Sequence, residues 1–220
     1  MKLLVGQLML AFYSIFDLKH QKNVSFAFDD TISEELVTNL VKAIWIKSCF
    51  IRRHWIPYFK RFKVLMLKEP YDYLKYIMYA CHLVSDHTPK GFERFLDVYS
   101  TVIALIVLFK SQAHDVYVRY SPHIFTAYFD LHLKKHFTNV VAGNVFKHIS
   151  QTRLRKMLRR IASRKEGLPY EPEKISQYDI DIHEETKFLI SWIIESFVNE
   201  EFVGGKSSDP VAIAGIENSL

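Results

Sequence analysis

Cysteine is nearly absent from this chain: Cys49 and Cys81 are the only two in 220 residues. They could form one bridge at most, and both lie in apolar stretches of helical spacing, where a free thiol packs as a small hydrophobe. A disulfide-built scaffold is excluded, and a reducing intracellular setting, nucleus or cytoplasm, is the expectation. Glycine and proline are scarce too, with seven of each, so the chain has few breakers and reads as mainly helical. Phosphate-loop and esterase signatures are missing. Val203-Gly-Gly-Lys-Ser-Ser lacks the earlier glycine of a phosphate loop and follows a helical stretch, and no G-x-S-x-G occurs.

Long apolar runs are lacking as well. Leu3 to Phe16 and Tyr99 to Phe109 both fall short of the roughly 20 residues that span a bilayer. Gln7 interrupts the first, and Asp17, Leu18, Lys19 and His20 follow it with no small-x-small cleavage site. It therefore reads as a buried first helix rather than a secretion signal. The second is apolar on all sides between Asp97 and Lys110, as expected of a central core helix. No recurrence near 34 or 40 residues marks a helical repeat array.

Aromatic residues are abundant, with 17 Phe, 12 Tyr and 3 Trp. Each buried ring removes about 150–250 Å² from water, so most of them are expected in a core, with some Tyr left for an interface. Helix punctuation divides the chain. Thr31 with Glu34 forms a capping box ahead of Leu36, Val37, Leu40, Val41, Ile44 and Trp45. Pro57, Pro70, Pro89 and Pro122 each suit a first helical turn, with Thr88 and Ser121 as N-caps for the last two. Asp181 with Glu184 repeats the box ahead of Ile190, Ile193, Ile194, Phe197 and Val198, and Gly204-Gly205 ends that helix.

The parse gives helices near 2–17, 32–53, 56–67, 70–85, 89–111, 122–136, 139–164 and 182–202. Residues 23–29 and 115–120 alternate weakly and could form short extended strips. The predicted architecture is all-α: a compact orthogonal or stacked bundle of seven to nine helices around an apolar central helix. One domain is expected over residues 1–203, with 204–220 as a tail that docks on the body or meets a partner. Glu166 to Ser176, with Gly167, Pro169 and Pro172, is the one plausible linker.

Charge is split along the sequence. Residues 1–165 hold 26 Lys and Arg against 12 Asp and Glu, a net +14, whereas residues 166–220 hold 3 against 12, a net −9. The densest basic run is Arg153, Arg155, Lys156, Arg159, Arg160, Arg164 and Lys165, spaced around Leu154, Met157, Leu158, Ile161 and Ala162 on an amphipathic helix. Like charges one turn apart repel, which calls for an opposing anion. The acidic stretch with Glu171, Glu173, Asp179, Asp181, Glu184 and Glu185 supplies one within the chain. A nucleic-acid phosphate, an acidic protein segment or an anionic lipid surface would supply one from outside. Ser163, three residues after Arg160, also matches a basophilic kinase site.

A second basic run includes Lys47, Arg52, Arg53, Lys60, Arg61, Lys63 and Lys68, interleaved with Trp55, Tyr58, Phe59 and Phe62. Cations alternating with rings can hold phosphates while bases stack, but a core helix with solvating cations has the same pattern. Metal readings are thinner. His132 and His136 have a two-ligand spacing without the glutamate of a zincin. Cys49 with His54, and Cys81 with His82, lack the C-x₂-C economy of a structural zinc site. His114-Asp115, with His82 or His87 and Asp179 or Asp181, could assemble an HD-type metal phosphohydrolase, although one His-Asp pair is weak evidence in a chain with 10 His and 11 Asp.

The functional expectation is a non-enzymatic helical adaptor or scaffold subunit without cofactor or metal. It would engage a protein partner through Arg52, Arg53, Lys60, Arg61 and the 153–164 cations. A nucleic-acid-binding module using the same residues is the alternative.

Overall fold

A computed structural model of the chain describes Leu8, Phe12 and residues 34–88, 91–110, 119–134, 171–177 and 180–204. Helix α1, Glu34–Met66, is the longest element. Its length follows from one uninterrupted stripe. Leu40, Ile44, Ser48, Ile51, Trp55, Tyr58, Phe62 and Met66 recur every three or four residues and are all buried.

Two helices, 32–53 and 56–67, are predicted here, divided at Pro57, but a single helix runs through the proline. Proline removes one helical hydrogen bond and crowds the preceding turn, at a cost of about 3 kcal/mol. Pro57 is on the solvent side, where water can reach the Arg53 carbonyl that loses its partner, while the buried stripe holds both halves against the core.

Helices α2, Pro70–His87, and α3, Gly91–Lys110, complete the main layer. Pro70 starts α2 as predicted, after Glu69 in extended conformation. Thr88 is the C-cap of α2 rather than an N-cap for α3. Its hydroxyl lies 2.9 Å from the Val84 carbonyl and 3.0 Å from Asp97 Oδ2, and Asp97 also pairs with Lys47 on α1. Arg94 donates to the Thr88 carbonyl at 2.8 Å. These contacts fix the end of α2 against the start of α3 and against α1.

Helix α3 is the central element foreseen in the sequence. It packs on α1, α2 and α4 and buries Phe95, Leu96, Tyr99, Val102, Ile103, Leu105, Ile106 and Phe109. The Ser100 hydroxyl donates to the Ile44 carbonyl at 3.3 Å, a contact that requires a small residue and close backbones. Rings from three helices meet around Phe109, which lies edge-on to Phe59 at 5.0 Å and to Tyr73 at 4.9 Å.

Helix α4, Ser121–Tyr128, has Pro122 in its first turn and continues into one wide π turn, Phe129–Leu133. There Lys134 N–H bonds the Phe129 carbonyl at 2.8 Å, five residues back. Tyr99 stacks on Phe125 with ring centroids 3.8 Å apart. A 3₁₀ turn, Pro172–Lys174, lies on α1. Helix α5, Glu184–Gly204, packs on α2 and α4 through Ile190, Ile193 and Phe197. Its N-cap is His183, whose carbonyl accepts from Thr186 and Lys187 N–H at 2.9 and 3.1 Å. The predicted cap, Asp181, instead accepts from Ile182 N–H.

The domain is thus compact and all-α, with five helices and one 3₁₀ turn among the described residues rather than seven to nine. Fusion across Pro57 removes one predicted helix. Those at 2–17 and 139–164 lie outside the described residues, except that Leu8 and Phe12 are helical and buried. The extended strips at 23–29 and 115–120 also lie outside, apart from Arg119 and Tyr120, which form a turn. Among the described residues, no helix is long and apolar enough to cross a membrane.

Candidate interaction surface

The stripe that buries one side of α1 leaves an opposite arc in solvent. At 100° per residue, that arc carries Lys42, Ile46, Cys49, Phe50, Arg53, Pro57, Lys60 and Val64. Ile46 is 38% exposed, Phe50 42% and Val64 80%. Lys42, Arg53 and Lys60 are exposed between them. Most of one face of a 33-residue helix is therefore an apolar and basic strip without a helix laid across it among the described residues.

The four predicted contact residues on α1 have different roles. Arg53 and Lys60 are exposed, and Arg53 Nε donates to His54 Nε2 at 3.2 Å. Arg52 is half-buried. Arg61 donates from its guanidinium to the Ile175 carbonyl, which ties the segment after the 3₁₀ turn to α1. The described part of the predicted linker is therefore docked, with Pro172 and Ile175 buried and Glu171 and Lys174 paired in solvent. Glu173 lies close enough to draw the His54 pKa upward, but burial and neighbouring Arg53 outweigh it and hold that pKa below the ordinary value.

Trp55, Tyr58, Phe59 and Phe62, the rings interleaved with these cations, are all buried. Tyr58 donates to the Tyr76 carbonyl at 2.9 Å, and its ring meets Trp55 and Phe62 edge-on at 5.1 and 4.9 Å. They form core, so these four rings offer no stacking platform beside the cations. Arg153, Arg155, Lys156, Arg159, Arg160, Arg164 and Ser163 lie outside the described residues.

The histidines hold a surprise that no spacing foreshadows. His82 of α2, His132 of the π turn and His183 at the α5 N-cap converge, with ring centroids of His82 and His132 4.5 Å apart and of His82 and His183 6.4 Å apart. Tyr128 lies 5.3 Å from His82 and 4.7 Å from His132. His82 Nε2 hydrogen-bonds Thr186 Oγ1 at 3.0 Å, joining α2 to the first turn of α5. Burial lowers the His82 pKa and neighbouring His183 lowers it further, against the pull of Asp86. The junction is therefore a clasp between three elements in which burial disfavours the charged form of His82.

Among the described residues, no group of three or more His, Cys, Asp and Glu is arranged to hold a metal ion. Cys49 is exposed, against the expectation of burial, whereas Cys81 lies in the core, where burial pushes its thiol pKa far up. The Cys49, His54, Cys81 and His82 set therefore spans surface and core. His136, His114, Asp115 and Asp179 lie outside the described residues. His87 is exposed and donates from Nδ1 to the Leu83 carbonyl at 2.7 Å.

The exposed apolar positions on α1 could have been found in the sequence, because Ile46, Phe50 and Val64 fall off the stripe defined by Ile44, Ile51, Trp55 and Phe62. The histidine junction could not, since its members are about 50 residues apart along the chain. No family model, no curated protein and no solved structure matches the chain, which leaves the surface chemistry to carry the functional reading.

Proposed function

We infer that this helical domain is a non-enzymatic adaptor that holds a protein partner in an intracellular complex, with the solvent arc of α1 as the contact. One observation supports the reading above the rest: Ile46, Phe50 and Val64 are exposed along the same helical face as Lys42, Arg53 and Lys60. Apolar side chains at helical spacing bind by excluding water, and the flanking cations add orientation and selectivity for an acidic partner. A nucleic-acid reading would use Arg53 and Lys60 on phosphates, but Trp55, Tyr58, Phe59 and Phe62, the rings interleaved with them, are inside and Arg61 is committed to Ile175.

Salt separates the two. Proteins retained from a cell extract by the immobilised domain should stay bound between low salt and about 0.5 M if apolar contact dominates, and Phe50→Ala should release them. Phosphate binding should instead fall steeply over that range as counterions compete, with Lys60→Gln mattering more than Phe50→Ala. Tight binding of arbitrary duplex with that salt slope would replace the adaptor reading with the nucleic-acid one.

A further inference from the structure

Helix α5 has more apolar side chains than the core takes up. Thr186, Ile190, Ile193 and Phe197 form its buried stripe, while Phe188 and Trp192, one turn apart on the opposite face, are 76% and 46% exposed. Glu184, Glu185, Ser191 and Glu195 surround them, all exposed. Lys187 is the only basic residue in the helix, and it is engaged with Glu184 at 2.7 Å. Acidic side chains in a first turn suit the helix dipole, which is reason enough for Glu184 and Glu185. Glu195, three turns into the helix, gains nothing from the dipole, and neither aromatic residue is explained by it.

We propose that this face of α5 is a second docking surface, and that its partner is a basic amphipathic helix presented by another protein. Two large aromatic side chains at i and i+4 match the apolar ridge of a partner helix. Aromatic anchors of this kind dominate interface energetics when enclosed. The surrounding carboxylates select the partner's charge, since an acidic or neutral rim would meet like charge or leave Glu185 and Glu195 desolvated and unpaired. The charge of this face also disfavours a symmetric contact between two copies of α5.

The surface is separate from the α1 arc. Helix α5 packs chiefly on α2 and α4, while α1 packs on α3, α2 and the 3₁₀ turn. The domain would then offer two faces of opposite charge, which is the geometry of a bridge between two partners.

A fluorescein-labelled synthetic helix with leucine at i, i+3, i+4 and i+7 and arginine or lysine elsewhere tests this by anisotropy, beside a counterpart with glutamate at every charged position. The basic peptide should bind saturably and the acidic one should not. Phe188→Ala and Trp192→Ala should each weaken binding at least about tenfold, the scale of losing an interface anchor. A Glu185→Gln/Glu195→Gln double variant should weaken it mainly at low salt. All of these side chains are exposed, so an unchanged thermal melt separates lost contact from lost fold. Phe50→Ala on α1 should leave peptide binding intact, which keeps this result independent of the α1 reading. Equal binding of both peptides, indifference to Phe188→Ala and Trp192→Ala, loss through Phe50→Ala alone, or self-association through Phe188 and Trp192 without peptide binding would each overturn the proposal.

Discussion

Two tyrosines in the same core show how much a single hydroxyl can matter. The Tyr58 hydroxyl donates to the Tyr76 carbonyl. The Tyr99 hydroxyl is buried with no hydrogen-bond partner among the described residues, although its ring stacks on Phe125. A buried group left unpaired carries a desolvation penalty of about 1–3 kcal/mol, while a satisfied bond contributes about 0.5–1.5 kcal/mol. Urea unfolding should therefore find Tyr99→Phe more stable than the parent chain and Tyr58→Phe less stable. A loss for Tyr99→Phe as large as that for Tyr58→Phe would show that its hydroxyl is satisfied after all. Composition implied that these rings would be core, but it carried no information about which hydroxyl would find a carbonyl, since that depends on how α1 and α2 cross.

For whole elements, the balance between local propensity and tertiary burial decides α1. A proline on the solvent side of an otherwise continuous stripe should be a tolerated defect rather than a boundary. Replacing it restores an amide donor, so Pro57→Ala should stabilise the domain by up to about 3 kcal/mol, the interior-proline penalty. Amide exchange should slow across residues 53–58 in that variant. No gain in stability, with exchange unchanged, would mean that the turn around Pro57 is held by something other than the stripe. The sequence contains this answer in its spacing: Ile51, Trp55, Tyr58 and Phe62 keep one phase on both sides of residue 57. Proline's reputation as a breaker obscures it. The start of α5 was less legible, because Asp181 and Glu184 match a capping box whereas His183 takes the cap so that Thr186 can reach His82.

The whole molecule depends on a junction that only folding reveals. His82, His132 and His183 bring α2, the π turn and α5 together, and the His82 pKa is depressed by burial and by His183, with Asp86 opposing. A histidine whose folded pKa lies below its unfolded value of about 6.5 binds a proton less tightly in the fold, so the unfolded chain takes up the proton first. Stability should be full above that value and should fall as pH drops below it, until the folded pKa is passed. His54, also depressed, adds to the same slope from a more exposed position. Thermal melts between pH 7.5 and 5 should show this decline, and His82→Gln should flatten it; a decline unchanged in His82→Gln would place the titrating group elsewhere. The all-α class and the central α3 were readable from composition and periodicity, because both depend on local pattern. The convergence of three histidines about 50 residues apart depends instead on how α2, the π turn and α5 pack together.

Function is also a property of the whole molecule, and the proposed adaptor role requires a partner to cover the solvent arc of α1. Cys49 lies on that arc between Ile46 and Phe50 and is exposed, while Cys81 is buried, so the protein carries its own reporter and its own internal control. The most direct measurement is the rate at which iodoacetamide alkylates each thiol, read by mass spectrometry on the free domain and on the complex it forms with its partner. With the arc covered, Cys49 should be alkylated rapidly in the free domain and about tenfold or more slowly in the complex, while Cys81 resists in both. Equal alkylation of Cys49 in the free domain and the complex would contradict it.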